Sequence, residues 1–219
     1  MKGLLRKDLY FIMDQKVIVM VLLLIAFLYP VVGAVDSGFT VGYISFVSAT
    51  VGLATIGYDF ADNGMLQIMT MPVDKKMYVQ SKYMTCMICT VSGALLAMMA
   101  QSMISIKEYG IFESEFVLIS GFIVIVTGMI MTSAGVPSYI KFGAQKGVYG
   151  LLVFVAAIVG IILGGLKLAE YMGYDIDQLF IKITSMEIAA IVGFALAAAA
   201  IVMIFSYMIS LKVIESKTF

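Results

Sequence analysis

The chain has 219 residues, of which 62% are hydrophobic and 13% are charged. A soluble globular domain is about 45–50% apolar and about 25% charged, so this composition excludes a water-soluble enzyme and requires apolar surface to face lipid. The 14 basic residues balance 14 acidic ones, and no net field indicates a nucleic-acid partner. Because the chain contains no His, His-based acid–base catalysis, His-activated nucleophiles and His-ligated metals are excluded.

Six stretches that lack Asp, Glu, Lys and Arg are long enough to cross a bilayer. A transmembrane helix needs about 20 predominantly apolar residues, and none of these stretches alternates as a barrel strand does. The sequence therefore predicts one all-α, polytopic membrane domain over residues 1–219. Its six predicted spans are 17–35, 37–58, 83–106, 116–136, 147–166 and 188–211. The fourth is expected to end near Pro137, because proline disfavours helix in the residue before it.

The basic residues predict the orientation of these spans. Three of the 14 Lys and Arg (Lys107, Lys167 and Lys182) fall on one side of the membrane, and eleven fall on the other. By the positive-inside rule the richer side is cytoplasmic, so both termini are expected inside the cell. The eleven are Lys2, Arg6, Lys7, Lys16, Lys75, Lys76, Lys82, Lys141, Lys146, Lys212 and Lys217.

The sequence lacks the residues that several kinds of chemistry require. Cys86 and Cys89 form a C-x-x-C pattern, but two thiols alone cannot complete a tetrahedral zinc site, and they are interpreted as packing residues. No phosphate-binding Gly-Lys-Ser/Thr loop occurs, so the chain is not expected to hydrolyse ATP itself. The predicted spans contain no ionisable residue, which disfavours a proton-driven transporter. A Na⁺ site built from carbonyl groups stays open.

Small residues at helical spacing mark places of close helix approach. The sequence leaves open whether these contacts lie within one bundle or between two protomers. Likewise, the 18 Met residues are either ordinary packing residues or an adaptable lining for an apolar substrate. The small-residue motifs are Ser48-x-x-x-Gly52, Gly160-x-x-x-Gly164 and Ala189-x-x-x-Gly193-x-x-x-Ala197.

The segment between the second and third spans predicts a short helix outside the bilayer. Asp62 is a suitable N-cap and Pro72 prevents continuation, which predicts a helix over residues 63–71. Its apolar residues share one side, and such an exposed apolar ridge needs either the membrane surface or a protein partner to cover it. The ridge consists of Met65, Ile68, Met69 and Pro72.

Three segments carry a resemblance to a known family: residues 1–10 (MKGLLRKDLY), 71–83 (MPVDKKMYVQSKY) and 210–219 (SLKVIESKTF). The chain resembles a type-2 ABC exporter permease, and more narrowly the small permeases of Gram-positive bacteria that include phenol-soluble-modulin exporters. The family typically has Leu where this chain has Met71, and often Ser followed by Arg or Lys where it has Asp74 and Lys75. Both departures keep the apolar and cationic character of the positions.

The resemblance implies an amphipathic elbow helix over residues 1–16, with an apolar stripe of Leu5, Leu9, Ile12 and Met13. It implies that residues 167–187 form re-entrant helices between the fifth and sixth spans. The helix over residues 63–71 would be the coupling helix, which contacts a separate ATP-binding subunit. The residues expected at that interface are Asp62, Met65, Leu66, Ile68, Met69, Met71 and Pro72.

The function that follows is the transmembrane subunit of an ATP-driven exporter in a bacterial cytoplasmic membrane. Two permease copies, identical or paralogous, would pair with two ATPase chains that bind ATP and Mg²⁺, whereas this chain needs no cofactor. An amphipathic or hydrophobic peptide is the expected cargo, because an uncharged interior offers no partner to a charged one. The alternatives are a non-transport assembly or immunity subunit, and a small carrier that acts alone.

Overall fold

A computed structural model of the chain describes residues 2–14, 16, 20, 23–24, 37–61, 64–70, 73–109, 112–171 and 188–217. The regular structure in these ranges is entirely helical, which confirms the predicted all-α class. The helices are α1 (Lys2–Asp14), α2 (Ser37–Phe60), α3 (Gly64–Thr70), α4 (Lys75–Tyr109), α5 (Ser114–Tyr171) and α6 (Ile188–Glu215).

Four helices of the described part are long and apolar enough to cross a membrane, as expected for a multi-pass membrane protein. They correspond to the second, third, fourth and sixth predicted spans. The first predicted span lies almost wholly outside the described residues, as do residues 172–187 of the predicted re-entrant segment, so the count of six spans stays a prediction. The four segments are Gly38–Phe60, Lys75–Lys107, Ser114–Gly143 and Ala190–Glu215.

Helix α5 consists of two arms that meet at a break. The helix passes through Pro137, where the sequence predicts an end, and the break lies instead at Gly143, with φ 79° and ψ −174°. This positive φ favours glycine, which has no Cβ to clash. The second arm folds back on the first, since a Cβ added to Gly147 would lie 2.9 Å from the Cα of Tyr139. The predicted fourth and fifth spans are thus the two arms of one broken helix.

Helices α2, α4 and α5 pack against one another, and α6 packs mainly on α5. One buried cluster, which includes Leu53, Ile56, Val79 and Ile214, lies where α2 ends, α4 begins and α6 ends. We call this end of the bundle the basal end. A second cluster, which includes Val41 and Ala97, lies toward the opposite end. The termini of the described chain are therefore both at the basal end.

One predicted small-residue motif lies inside the bundle. A Cβ added to Gly52 would come within 2.9 Å of the Cα of Cys86, and a Cβ added to Gly93 would clash in the same way with the side chain of Ser48. Ser48-x-x-x-Gly52 therefore brings α2 close to α4 within one chain. Cys86 and Cys89 are free and buried in this contact region, which agrees with their interpretation as packing residues. For the glycines of the other two motifs, Gly160, Gly164 and Gly193, an added Cβ has nothing within 4 Å in the described part of the chain.

Candidate functional site: a buried ion cluster beneath α3

The ammonium group of Lys82 is buried at the basal end, with only 1% of its side chain exposed. Its Nζ lies 2.8 Å from both carboxylate oxygens of Asp8 in α1 and 2.6 Å from Oδ2 of Asp59 in α2. It also donates to the carbonyl oxygen of Thr55 at 3.4 Å and lies 5.4 Å from the ring centre of Tyr78. One cation of α4 therefore joins three helices.

Both carboxylates have further partners. Asp59 accepts a hydrogen bond from the Tyr78 hydroxyl at Oδ2, 3.2 Å away, and its Oδ1 pairs with Nζ of Lys7. Asp8 accepts one from the hydroxyl of Thr85 at 3.2 Å. Lys7, whose side chain is 43% exposed, is the single member of the four charged residues that reaches the surface. We call Lys7, Asp8, Asp59 and Lys82 the Lys82 cluster.

Helical spacing explains why these groups meet. Tyr78, Lys82 and Thr85 follow one another at intervals of four and three residues, so they lie on one face of α4. In α1, Asp8 follows the buried Leu4 by four residues and faces the bundle with it. Asp59 is the penultimate residue of α2, and this position brings its carboxylate within reach of Lys82 and Tyr78. Three helices therefore supply the charges: α1 contributes Lys7 and Asp8, α2 contributes Asp59 and α4 contributes Lys82.

The Lys82 cluster contains two acids and two bases, so its formal charges balance. A buried charge is costly unless it is paired and hydrogen-bonded, and here every buried charge has at least two partners. The described residues contain no group of three or more His, Cys, Asp or Glu able to hold a metal ion. The arrangement is thus suited to holding helices together.

Helix α3 lies directly against the Lys82 cluster. A Cβ added to Gly64 at the start of α3 would lie 3.0 Å from the carbonyl oxygen of Asp59. An open cavity of about 350 Å³ lies between α3, the end of α2 and Lys7. The first turn of α3 therefore lies against the backbone of the same residue that Lys82 binds.

The structure divides the predicted ATPase-contact residues between two faces of α3. Met65 and Ile68 are buried in the protein's own core, 3% and 7% exposed, whereas Leu66 is 47% exposed. The surface of α3 therefore carries Leu66 with the polar Gln67 and Thr70. Asp62, Met71 and Pro72 lie outside the described residues, as does the side chain of Met69. The role of all seven as an ATPase interface stays a prediction.

The predicted apolar stripe of α1 is turned only partly outward. Leu9 and Met13 are exposed, and Leu5 and Ile12 are half-buried. The face in contact with the bundle is instead that of Leu4 and Asp8, which are buried. A partly outward apolar stripe fits the elbow-helix prediction, which remains a prediction.

The C-terminal residues fasten the end of α6 to the start of α4. Nζ of Lys75 donates to the carbonyl oxygen of Lys217 at 2.7 Å. Nζ of Lys217 lies 5.1 Å from the ring centre of Phe60 at the end of α2, and its partial burial lowers the pKa of this amine below its ordinary value. The last described residue, Lys217, thus lies beside α2 and α4 at the basal end.

Sequence reasoning did not single out Asp8, Asp59 or Lys82. Lys82 was counted among the basic residues and lies in the segment 71–83 that carries the family resemblance, as Asp8 lies in residues 1–10, but no site was predicted at either. A signal was present, because an acid and a base directly border apolar spans that pack on each other. The Leu4–Asp8 spacing, which places an acid on the inner face of α1, was the other signal.

Comparison with known proteins relates the chain to a transporter family. A family model described as "ABC-2 family transporter protein" matches residues 3–215, almost the whole chain. No curated protein and no solved structure matches it significantly. The match fits a multi-pass helical membrane protein and implies an ATP-binding partner subunit. The chain therefore belongs to the ABC-2 transporter family and is a membrane permease of an ABC transporter.

Proposed function

We propose that the chain is the transmembrane subunit of an ATP-driven exporter and that α3 is its coupling helix. In this proposal a separate ATP-binding subunit contacts the exposed face of α3, which carries Leu66. Met65 and Ile68 pass the resulting movement into the bundle, because they belong to the buried cluster at the basal end. The observation that carries the proposal is this division of one short helix into a buried anchor and an exposed apolar residue.

The proposed orientation places the basal end in the cytoplasm. Helix α3 lies at the same end as α1 and the described C-terminal residues, so an ATP-binding subunit in contact with α3 would lie at the basal end. The richer side of the basic-residue distribution includes Lys7, Lys75 and Lys217 at this end. The positive-inside rule then assigns it to the cytoplasmic side.

The proposed assembly contains two permease copies, identical or paralogous, and two ATPase chains that bind ATP and Mg²⁺. Its cargo is an amphipathic or hydrophobic peptide, as in the small permeases that include phenol-soluble-modulin exporters. Support for an apolar cargo comes from the spans, whose charges are confined to their ends. Differential contacts of α3 in two states of the ATPase would drive the change in the bundle.

Leu66→Asp tests the assignment of α3. Because Leu66 is 47% exposed, the substitution should leave the permease folded while it removes apolar contact with the ATPase. We expect the variant to retain its thermal unfolding midpoint and to lose most of the ATP-binding subunit during co-purification. Met65→Asp is unsuitable, since it would bury a charge in the core.

Lys212→Asp is the matched control. Lys212 is exposed near the end of α6, and its replacement also introduces an acid at the basal end. It should keep the partner bound. Undiminished co-purification and ATPase activity of Leu66→Asp would refute the α3 assignment. If no ATP-binding subunit accompanies even the wild-type chain, an assembly or immunity subunit becomes the better description.

A further inference from the structure

The short helix α3 begins against the backbone of Asp59, whose carboxylate is bound by α4. Asp59 contributes both the carbonyl oxygen that approaches Gly64 and the carboxylate that Lys82 binds at 2.6 Å. An isolated helix of seven residues is not stable in water. The location of α3 therefore depends on the groups that fix Asp59 and on its own buried side chains.

Helix α4 holds Asp59 with two groups on one face. Lys82 and Tyr78 are both fully buried, and both contact Oδ2 of Asp59. Because they are four residues apart, they move together with the first turns of α4. The position of α3 therefore depends on α4 as well as on α2.

Lys82 also ties α1 to the same point through Asp8. A buried ion pair is weak evidence for stability, because apolar residues of similar volume often serve as well. Such a pair instead favours one arrangement of the helices, because displacement of any one helix leaves a buried charge without its partner. The Lys82 cluster therefore fixes α1, α2 and α4 relative to one another immediately beneath α3.

We infer that Lys82 is a positioning residue for α3: through Asp59 it sets the place of the ATPase-contact helix and joins it to α1 and α4. A force applied at Leu66 would then reach three helices at once, rather than bend α3 on its loop. The role in coupling rests on the proposed function, whereas the positioning itself is a property of the permease alone.

Thiol accessibility tests the positioning in the purified permease without any ATPase. Met65→Cys places a thiol at a position that is 3% exposed, so a hydrophilic maleimide should react with it slowly. If Lys82 positions α3, adding Lys82→Met should raise this rate by about tenfold or more, as expected for local opening. Lys76→Met, on an exposed residue of α4, is the matched control and should leave the rate unchanged.

The native thiols distinguish positioning from general loosening. Cys86 and Cys89 are buried in the bundle and should stay unreactive in the Lys82→Met protein. Leu66→Cys should react rapidly with or without Lys82→Met, because that position is already exposed. Asp8→Asn should leave Met65→Cys protected, since it keeps the contact between Lys82 and Asp59.

Two results would overturn the inference. One is a Met65→Cys thiol that stays protected when Lys82 is replaced, and the other is equal exposure of Met65→Cys, Cys86 and Cys89. If Lys82→Met alone does not accumulate, the Asp8→Asn and Lys82→Met double variant restores charge balance, and the same readout applies to it. The ATPase is absent from the thiol-accessibility experiment. Failure of the proposed function would therefore appear in the Leu66→Asp experiment and not in this one.

Discussion

The hydroxyl of Ser206 in α6 donates a hydrogen bond to the carbonyl oxygen of Ser133 in α5. Ser133 precedes Pro137 by four residues, so its carbonyl is the one that loses its helical partner because proline has no N–H. In a membrane such a group must find another donor. Ser206 supplies it, and α5 continues through Pro137 for this reason.

Each hydroxyl group carries one proton, and this fixes which group donates in each hydrogen bond around Ser206. Its single proton goes to Ser133, so the Tyr83 hydroxyl, 2.6 Å away, must donate to Ser206. Ser210, 3.0 Å from the same hydroxyl, must then donate to Tyr83. The chain of donors connects α6 to α4 and ends on the carbonyl that Pro137 exposes.

The first prediction concerns this chain of donors. Ser206→Ala should lower the free energy of unfolding by about 1–2 kcal/mol, because it leaves a buried carbonyl without a donor and the Tyr83 hydroxyl without the acceptor of its proton. In a Pro137→Ala background the same substitution should cost clearly less, since alanine at this position restores the helical N–H to Ser133. A double-mutant cycle measured by thermal unfolding in detergent gives the coupling directly.

Ser120→Ala provides the control for Ser206→Ala. Ser120 is also buried, but its hydroxyl donates to Val117 within its own helix. Its replacement should change stability little in either background. Additive effects of Pro137→Ala and Ser206→Ala would contradict the assignment of Ser206 as the substitute donor.

The case of Pro137 illustrates what the sequence can and cannot predict here. Long charge-free runs predict spans well, because lipid enforces them along the whole length, and four of them agree with helices of the structure within several residues. The effect of Pro137 depends on a serine in a different helix, far along the chain, which no local rule includes. The break at Gly143 likewise requires a positive φ that the sequence only permits.

The candidate site was harder to predict for the same reason. The sequence predicts a short helix over residues 63–71, and the structure has one over Gly64–Thr70. Which of its residues face inward is decided by the packing of α2 and α4, which places Met65 inside and Leu66 outside. Asp8 and Lys82 are 74 residues apart, and only the arrangement of helices brings them together.

The second prediction compares the buried and exposed members of the Lys82 cluster. Asp8→Asn leaves the buried Lys82 with one carboxylate fewer, and breaking a buried pair costs about 3–5 kcal/mol in other proteins. Lys7→Met removes a half-exposed partner, and exposed pairs contribute about 0–1 kcal/mol. We expect the thermal unfolding midpoint to fall much further for Asp8→Asn.

The charge-balanced variant sharpens this comparison. Asp8→Asn together with Lys82→Met removes one acid and one base, so Asp59 keeps Lys7 and no charge is left unpaired. This double variant should be more stable than either single one. Asp14→Asn, on an exposed residue of α1, is the control. Equal losses for Asp8→Asn and Lys7→Met would show that burial of the pair does not matter.

The third prediction uses the contact between α2 and α4. A Cβ at position 52 would lie 2.9 Å from the backbone Cα of Cys86, and backbone cannot yield as a flexible side chain does. Gly52→Ala should therefore push the two helices apart and cost about 1–3 kcal/mol in stability, as overpacking usually does.

Gly160→Ala is the matched control, since an added Cβ there meets nothing within 4 Å among the described residues. Ala is the better helix former by about 0.8–1.0 kcal/mol, so Gly160→Ala should be neutral or slightly stabilising to the isolated protomer. Both variants are compared by thermal unfolding in the same detergent. If Gly52→Ala is as stable as Gly160→Ala, the close approach of α2 to α4 is refuted. If instead Gly160→Ala alone lowers the midpoint, Gly160 must pack against a surface outside the described residues, in this chain or in a second copy.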